Sequence, residues 1–298
     1  MNALPSIAFF FAMLAFGALA PPLAPALAAD MSVVRLDIDG TERQFHYYVP
    51  KSLDQPAPLV IVLHGSGSTG PKLVDEGRWQ DKADRERFVL AAPDSLISYD
   101  GVDPKRDLTL RDRARQIYRQ WREIDIGRWE GGFNDRKLIA ALIERVAAET
   151  RIDRRRIYVA GFSRGGFFAQ LLAITMADTI AAVAVVAPNM EPVNRPTSDR
   201  PMPFLLMVGA QDPVMPANGE RARAVLERWR ERDHCPEPLQ RRSEPDAKVM
   251  VEWTGPCAEG SEVRFVVVEG IGHEWPTVPV SFTNITWEFL GRFRRSRP

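Results

Sequence analysis

The sequence predicts an α/β fold: a mostly parallel central sheet of about eight strands, helices on both faces, and an antiparallel hairpin at the N-terminal end. Three observations predict it. Short apolar runs such as Leu59-Val60-Ile61-Val62-Leu63 have no polar face, which marks strands buried on both sides. Helical patterns separate these runs, and strands alternating with helices imply right-handed crossovers and a covered sheet. The 298 residues are 45% hydrophobic and 26% charged, a globular composition that excludes a disordered tail, a collagen-like rod or a coiled coil.

The elements follow in order. Val33 to Ile38 and Gln44 to Val49 alternate and are joined through Asp39-Gly40, a pair suited to the positive φ of a tight turn. Leu59 to Leu63 is the first buried strand. Phe88 to Ala92, Arg156 to Ala160, Ala182 to Ala187, Phe204 to Val208 and Val263 to Val268 repeat its character. Helices are expected near 72–87, 135–150, 165–177, 219–232 and 279–294. Neither an internal repeat nor a low-complexity linker interrupts residues 30–298, so they read as a single domain.

Residues 1–29 read as an address. Met1 to Ala29 carries no charged side chain, and Ile7 to Ala20 is almost wholly apolar. Ala26-Leu27-Ala28 places small residues at the −3 and −1 positions of a cleavage site, the pattern of a secretory signal peptide. The alternative is an uncleaved N-terminal anchor, but an apolar core of about 14 residues is short of the roughly 20 that a membrane span needs. The expected location is periplasmic or secreted, with no membrane association after cleavage. In an oxidising compartment Cys235 and Cys257 can pair. Closing a loop of that length is worth roughly 3 kcal/mol.

The 39 basic and 39 acidic residues balance. Nucleic acid is therefore not the expected partner, because phosphate binding leaves a basic excess. Residues 97–134 depart from the rhythm and form an irregular basic insertion, with seven basic and two acidic residues between Lys105 and Arg122. It reads either as a solvated surface excursion or as a flap over the site, in which case Trp121 and Trp129 become candidates for the pocket wall.

The chemistry lies in three loops after strands. Gly161-Phe162-Ser163-Arg164-Gly165-Gly166 follows the strand ending at Ala160 and precedes a helical run. A nucleophile elbow needs this arrangement: a sharp turn projects the serine Oγ above the sheet, and small residues two before and two after let the chain fold back. The following helix offers its N-terminal amides to developing negative charge. Asp212 stands just past the strand ending at Val208. His273, in Gly270-Ile271-Gly272-His273-Glu274-Trp275-Pro276, follows the strand ending at Val268. The order Ser163, Asp212, His273 is that of α/β-hydrolase triads. A serine hydroxyl is a poor nucleophile without a base within reach. His273 is the expected base, and Asp212 the group that orients it.

Two main-chain donors are needed for the oxyanion. One is expected from Arg164, directly after the nucleophile. The other is expected from the loop His64-Gly65-Ser66-Gly67-Ser68, where Gly65 and Ser66 are both open. His64, Trp121, Trp129 and Trp275 are candidate substrate contacts.

Leu63-His64-Gly65-Ser66-Gly67, Ala92-Pro93-Asp94-Ser95, the Ser163 elbow and Gly272-His273-Glu274-Trp275-Pro276 together resemble the secreted polyhydroxybutyrate depolymerase and feruloyl/acetyl-xylan esterase group, which is carbohydrate esterase family 1-like. Cys235 and Cys257 match a cysteine pair of that group, and Asn134-Asp135 before Leu138-Ile139 resembles its Asp-Asp before a helix. The resemblance implies an α/β-hydrolase and a serine esterase without a cofactor, with Ser163, Asp212 and His273 as the triad. Its expected partner is a small-molecule or polymeric ester: a hydroxyalkanoate oligomer, a feruloyl ester or an acetyl ester.

Other chemistries fit poorly. His273-Glu274 lacks the second His of a zinc-protease helix, and Pro276 would break such a helix, so no metal is expected. No P-loop or dinucleotide fingerprint occurs. The remaining alternatives are a serine peptidase of the same fold and a non-catalytic, polymer-binding protein of that fold.

Overall fold

The structure, a computed structural model, describes residues 31–53, 56–98, 118–119, 135–188, 200–237, 239–244 and 248–296. The signal-peptide segment, most of the basic insertion, Trp121 and Trp129 lie outside these residues.

Ten strands form one sheet. Its middle is parallel because most of its members are apolar on both faces and need helices on both sides. β3 (Ala57–Leu63), β4 (Val89–Pro93), β8 (Ala182–Val186) and β9 (Phe204–Gly209) are buried at every position. β7 (Ile152–Phe162) and β12 (Val263–Val268) complete the parallel set. β1 (Ser32–Ile38) and β2 (Thr41–Tyr48) form the expected hairpin, and β2 runs antiparallel to β4. The full order is β1-β2-β4-β3-β7-β8-β9-β12-β11-β10.

The sequence led to eight strands; the additional two are β10 (Gln240–Glu244) and β11 (Val249–Thr254), which run antiparallel beyond β12. β10 reads Gln-Arg-Arg-Ser-Glu and carries no apolar signal, because an exposed edge strand needs none and charge protects it from pairing further. Ile97–Ser98 (β5) and Tyr118–Arg119 (β6), both within the insertion, form a separate two-stranded ladder.

The helices follow their apolar spacing. α3 (Asp135–Glu149) buries Leu138, Ile139, Leu142, Ile143 and Val146, and α5 (Glu220–Arg232) buries Ala222, Val225, Leu226 and Trp229. α4 (Arg164–Thr175) is buried from Gly165 to Ile174, as befits a helix enclosed by the sheet and its neighbours. Its one buried amide, Gln170, accepts a bond from Trp229 Nε1 at 3.2 Å, while Trp229 stacks on Phe204 at 4.3 Å. The helix expected at 72–87 is two, α1 (Gly70–Glu76) and α2 (Trp79–Glu86). Gly77 caps the first, and Arg78, in the left-handed region at φ 51°, turns the chain. The helix expected at 279–294 is confined to α6 (Phe282–Leu290) between the Ser281 cap and Gly291. A disulfide joins Cys235, after α5, to Cys257, after β11.

Register aligns the working ends of the parallel strands. Leu63 pairs with Gly161, Phe162 with Val186, Val186 with Met207, and Gly209 with Val268. The loops carrying Gly65, Ser163, Asp212 and His273 therefore leave the same edge of the sheet. β4 and β7 lie on opposite sides of β3, so the chain reverses its strand order there, where α/β sheets open a crevice.

Candidate active site

Ser163 sits between β7 and α4 at φ 52°, ψ −116°, a strained conformation for a residue with a side chain. The neighbouring glycines explain how that turn is tolerated. A Cβ on Gly161 would lie 2.3 Å from the Gly165 carbonyl oxygen, and one on Gly165 would lie 2.1 Å from that of Leu63. Any larger residue would push the elbow off β3. The Ser163 amide donates to the Val186 carbonyl at 2.8 Å, which ties the turn to β8.

The Ser163 Oγ lies 2.9 Å from His273 Nε2, and His273 Nδ1 lies 2.8 Å from Asp212 Oδ2. Asp212 is buried, and its other oxygen, Oδ1, accepts from the amides of Val214 at 2.7 Å and Met215 at 2.9 Å. One oxygen is thus fixed by the main chain and the other is left to the imidazole. The acid and histidine loops are joined directly: the Gln211 amide donates to the Ile271 carbonyl at 2.9 Å. Gly209 makes this approach possible, since a Cβ there would meet the Ile271 oxygen at 2.2 Å. The Phe162 ring packs on the His273 ring at 4.9 Å.

Gly65 lies against the nucleophile: a Cβ on it would be 3.2 Å from Ser163 Cβ. The Gly65 carbonyl accepts from the Ser68 amide at 3.3 Å and from His64 Nδ1 at 2.8 Å. The expectation that His64 touches substrate is corrected here. Its ring is fully buried beneath the loop, where Nε2 accepts from the Ser95 amide at 3.1 Å. Sequence reasoning gave no such role to Asp94 and Ser95. Asp94 Oδ1 accepts from the Gly70 amide at 2.8 Å and Oδ2 from Gln44 Nε2 at 2.6 Å. Arg43 donates to the Asp94 carbonyl at 3.3 Å and to Asp135 Oδ1 at 2.6 Å, an ion pair buried on both sides. The available signal was a strand-terminal Pro-Asp-Ser, whose polar residues must find partners once the strand is buried.

These loops line a cavity of about 590 Å³ in which Ser163 and His273 are exposed to a ligand beside Gly65, Ser66, Phe162 and Trp275. Trp275 lines the cavity, although most of its ring is buried and its Nε1 donates to Thr283 Oγ1 at 2.9 Å. Arg164 opens α4, and its guanidinium lies 4.9 Å over the Phe167 ring. Among the described residues no group of three or more His, Cys, Asp or Glu is placed to hold a metal ion, and no helix is long and apolar enough to cross a membrane.

A family model described as "Esterase PHB depolymerase" matches residues 44–190, which include the Gly65 loop and the Ser163 elbow. The bifunctional acetylxylan esterase/xylanase XynS20E of Neocallimastix patriciarum is 26% identical over 266 residues, 87% of this chain and 34% of that protein. Feruloyl esterase D of Neurospora crassa is 24% identical over 273 residues, 87% of this chain and 85% of that protein. The chain spans from 31% to 44% of the length of the first four curated relatives it matches. Among solved structures, an acetyl xylan esterase from Aspergillus awamori aligns with a TM-score of 0.62 at 16% identity, covering 87% of this chain and 99% of that one. That likeness is one of fold.

Proposed function

Starting from an Esterase PHB depolymerase domain set in an α/β-hydrolase fold, we propose that this chain is an exported serine esterase that hydrolyses carboxylic esters through an acyl-serine intermediate. The observation that carries the reading is the Ser163–His273–Asp212 chain of contacts at 2.9 and 2.8 Å, with Ser163 held in a strained turn above β7.

The steps follow from those contacts. Ser163 Oγ attacks the ester carbonyl carbon while His273 Nε2 takes the hydroxyl proton. The Asp212 carboxylate accepts from Nδ1–H, fixing the ring and stabilising the imidazolium. Negative charge collects on the former carbonyl oxygen, where the Arg164 amide at the head of α4 donates to it. The second donor is Ser66. The Gly65 carbonyl is engaged by His64 and Ser68, and a trans peptide sends the Ser66 N–H in the opposite direction, toward the cavity that Gly65 and Ser66 line. His273 returns the proton to the departing alcohol, and water then repeats the sequence to release the acid.

Export is part of the proposal. The leader-like residues 1–29 motivate it, and the Cys235–Cys257 bond suits an oxidising compartment. The substrate is a small or polymeric ester of the hydroxyalkanoate, feruloyl or acetyl type. The test is Ser163→Ala in the purified mature chain. The variant is expected to lose hydrolysis of short p-nitrophenyl esters and labelling by a fluorophosphonate probe while keeping the wild-type Tm. Undiminished turnover in the variant would falsify the proposal.

A further inference from the structure

The cavity at Ser163 does not end at the triad. A second, smaller cavity of about 160 Å³ lies next to it and shares Thr277 and Val278 as wall. On the opposite wall the junction of α1 and α2 runs from Glu76 in the first cavity to Gly77 and Arg78 in the second. The two cavities are adjacent across that shared wall, one beside the triad and the other beside the N-terminus of α6.

The two cavities differ in charge. The cavity at Ser163 is lined by two carboxylates, Glu76 and Glu274, against one cation, Lys72, which lies 3.7 Å from Glu76. The far cavity is lined by Arg78 and Arg85 with Ser281, Thr283 and Asn284, and no acidic residue lines it. Arg78 is partly neutralised by Asp81 at 2.6 Å, while Glu86, the acid next to Arg85 in sequence, is engaged by Lys82 at 2.9 Å. Arg85 also feels Glu86, for which Lys82 is the main partner, so Arg85 and Arg78 together make the far cavity positive. Between the cavities stands Val278, 78% exposed, the most exposed large apolar side chain among the described residues. An apolar side chain at the joint suits a branched alkyl segment better than a hydrated sugar ring.

We propose that the far cavity is a carboxylate subsite: it holds the free acid end of a linear hydroxyacid oligoester, so that an ester bond toward the other end of the same chain is presented to Ser163. The acids of the near cavity disfavour entry of the carboxylate there, the two arginines attract it at the far end, and Val278 contacts the intervening alkyl chain. A planar guanidinium suits a carboxylate because it can donate two parallel bonds. This inference rests on the esterase reading and adds the polarity of the substrate to it.

The experiment compares a linear 3-hydroxybutyrate trimer as the free acid with its methyl ester, in the mature wild-type chain and in Arg85→Gln and Arg85→Lys. In wild type, kcat/KM for the free acid is expected to exceed that for the methyl ester by about tenfold, the scale of one charge-assisted hydrogen bond. The difference should lie in KM and shrink as salt is added. Arg85→Gln should bring the ratio near 1, and Arg85→Lys, which keeps the charge but not the paired donors, should restore only part of it. A wild-type ratio near 1, or a ratio that Arg85→Gln leaves in place, overturns the subsite while leaving the esterase reading intact. A wild-type chain that hydrolyses neither trimer nor p-nitrophenyl acetate overturns the esterase reading, and the subsite with it. A parallel pair of acetylated xylo-oligosaccharides, with and without a uronic acid, tests the other source of a carboxylate. A larger uronate effect than trimer effect overturns the assignment to hydroxyacid chains.

Discussion

The Ser95 amide donates to Nε2 of His64 at 3.1 Å, and this bond fixes a buried ring in its neutral form. An Nε2 that accepts must carry its lone pair there, so the proton sits on Nδ1 and is given to the Gly65 carbonyl. His64 is thereby a strut between the end of β4 and the Gly65 loop, and it does not line the cavity at Ser163.

Replacing that strut should cost turnover more than binding. His64→Leu leaves the Ser95 donor and part of the Gly65 acceptor unpaired, which lowers stability by about 1–3 kcal/mol. It also frees the Gly65–Ser66 peptide to rotate, so kcat should fall about 10- to 100-fold, less than the loss of a whole oxyanion donor, with KM nearly constant. His64→Asn, whose Nδ2 can still reach the Gly65 carbonyl, should recover part of kcat. Steady-state kinetics on a soluble ester separate the two. Equal recovery by Leu and Asn would remove the positioning role.

Asp212→Asn should be nearly silent for the fold and severe for activity. The Val214 and Met215 amides demand an acceptor at Oδ1, so the carboxamide oxygen must take that place. Its NH2 then faces His273 Nδ1, which has to accept, and the ring proton moves to Nε2. A ring protonated at Nε2 cannot take the Ser163 proton. The expected loss in kcat is about 10⁴-fold, with Tm within a few degrees of wild type. A loss below about tenfold would show that Asp212 is not the orienting acid.

Asp233 makes part of the stability depend on pH. Its carboxylate is fully buried beside the disulfide, accepts from the Met202 amide at 2.9 Å, and is pushed by burial from the usual 3.8 up to about 6. A raised carboxyl favours the protonated folded state. The stabilisation is therefore complete below about pH 3.8 and is lost as pH rises through about 6, a change of about 3 kcal/mol. In Asp233→Asn the group no longer titrates. The difference in unfolding free energy between wild type and variant, from urea titrations at pH 4, 5, 6 and 7, should move against wild type across that range. A constant difference would contradict the assignment.

Much of the fold was legible because its centre is apolar on both faces: Leu59 to Leu63 and Phe204 to Val208 admit little but buried strands. The Ser163–His273–Asp212 set of contacts was legible because each member follows such a strand. What escaped was decided by partners distant in sequence. Gln240 to Glu244 became a strand because β11 offered it an edge. The helix expected at 72–87 broke at Gly77 because its carbonyl accepts from Thr283 at 2.7 Å, a contact 206 residues away. His64 looked like a substrate contact because a histidine in a glycine-rich loop is usually exposed; Ser95, brought alongside by β4, turned it inward.

The order of these loops along the chain has a consequence for biosynthesis. Gly65 and Ser163 come early in the sequence, but His273 follows β12, whose pairing with β9 needs nearly all of the chain. A chain that stops at residue 250 has the Ser163 segment but lacks both β12 and His273. The contact between Ser163 and His273 is therefore completed only by the last strand of the sheet and the loop that follows it.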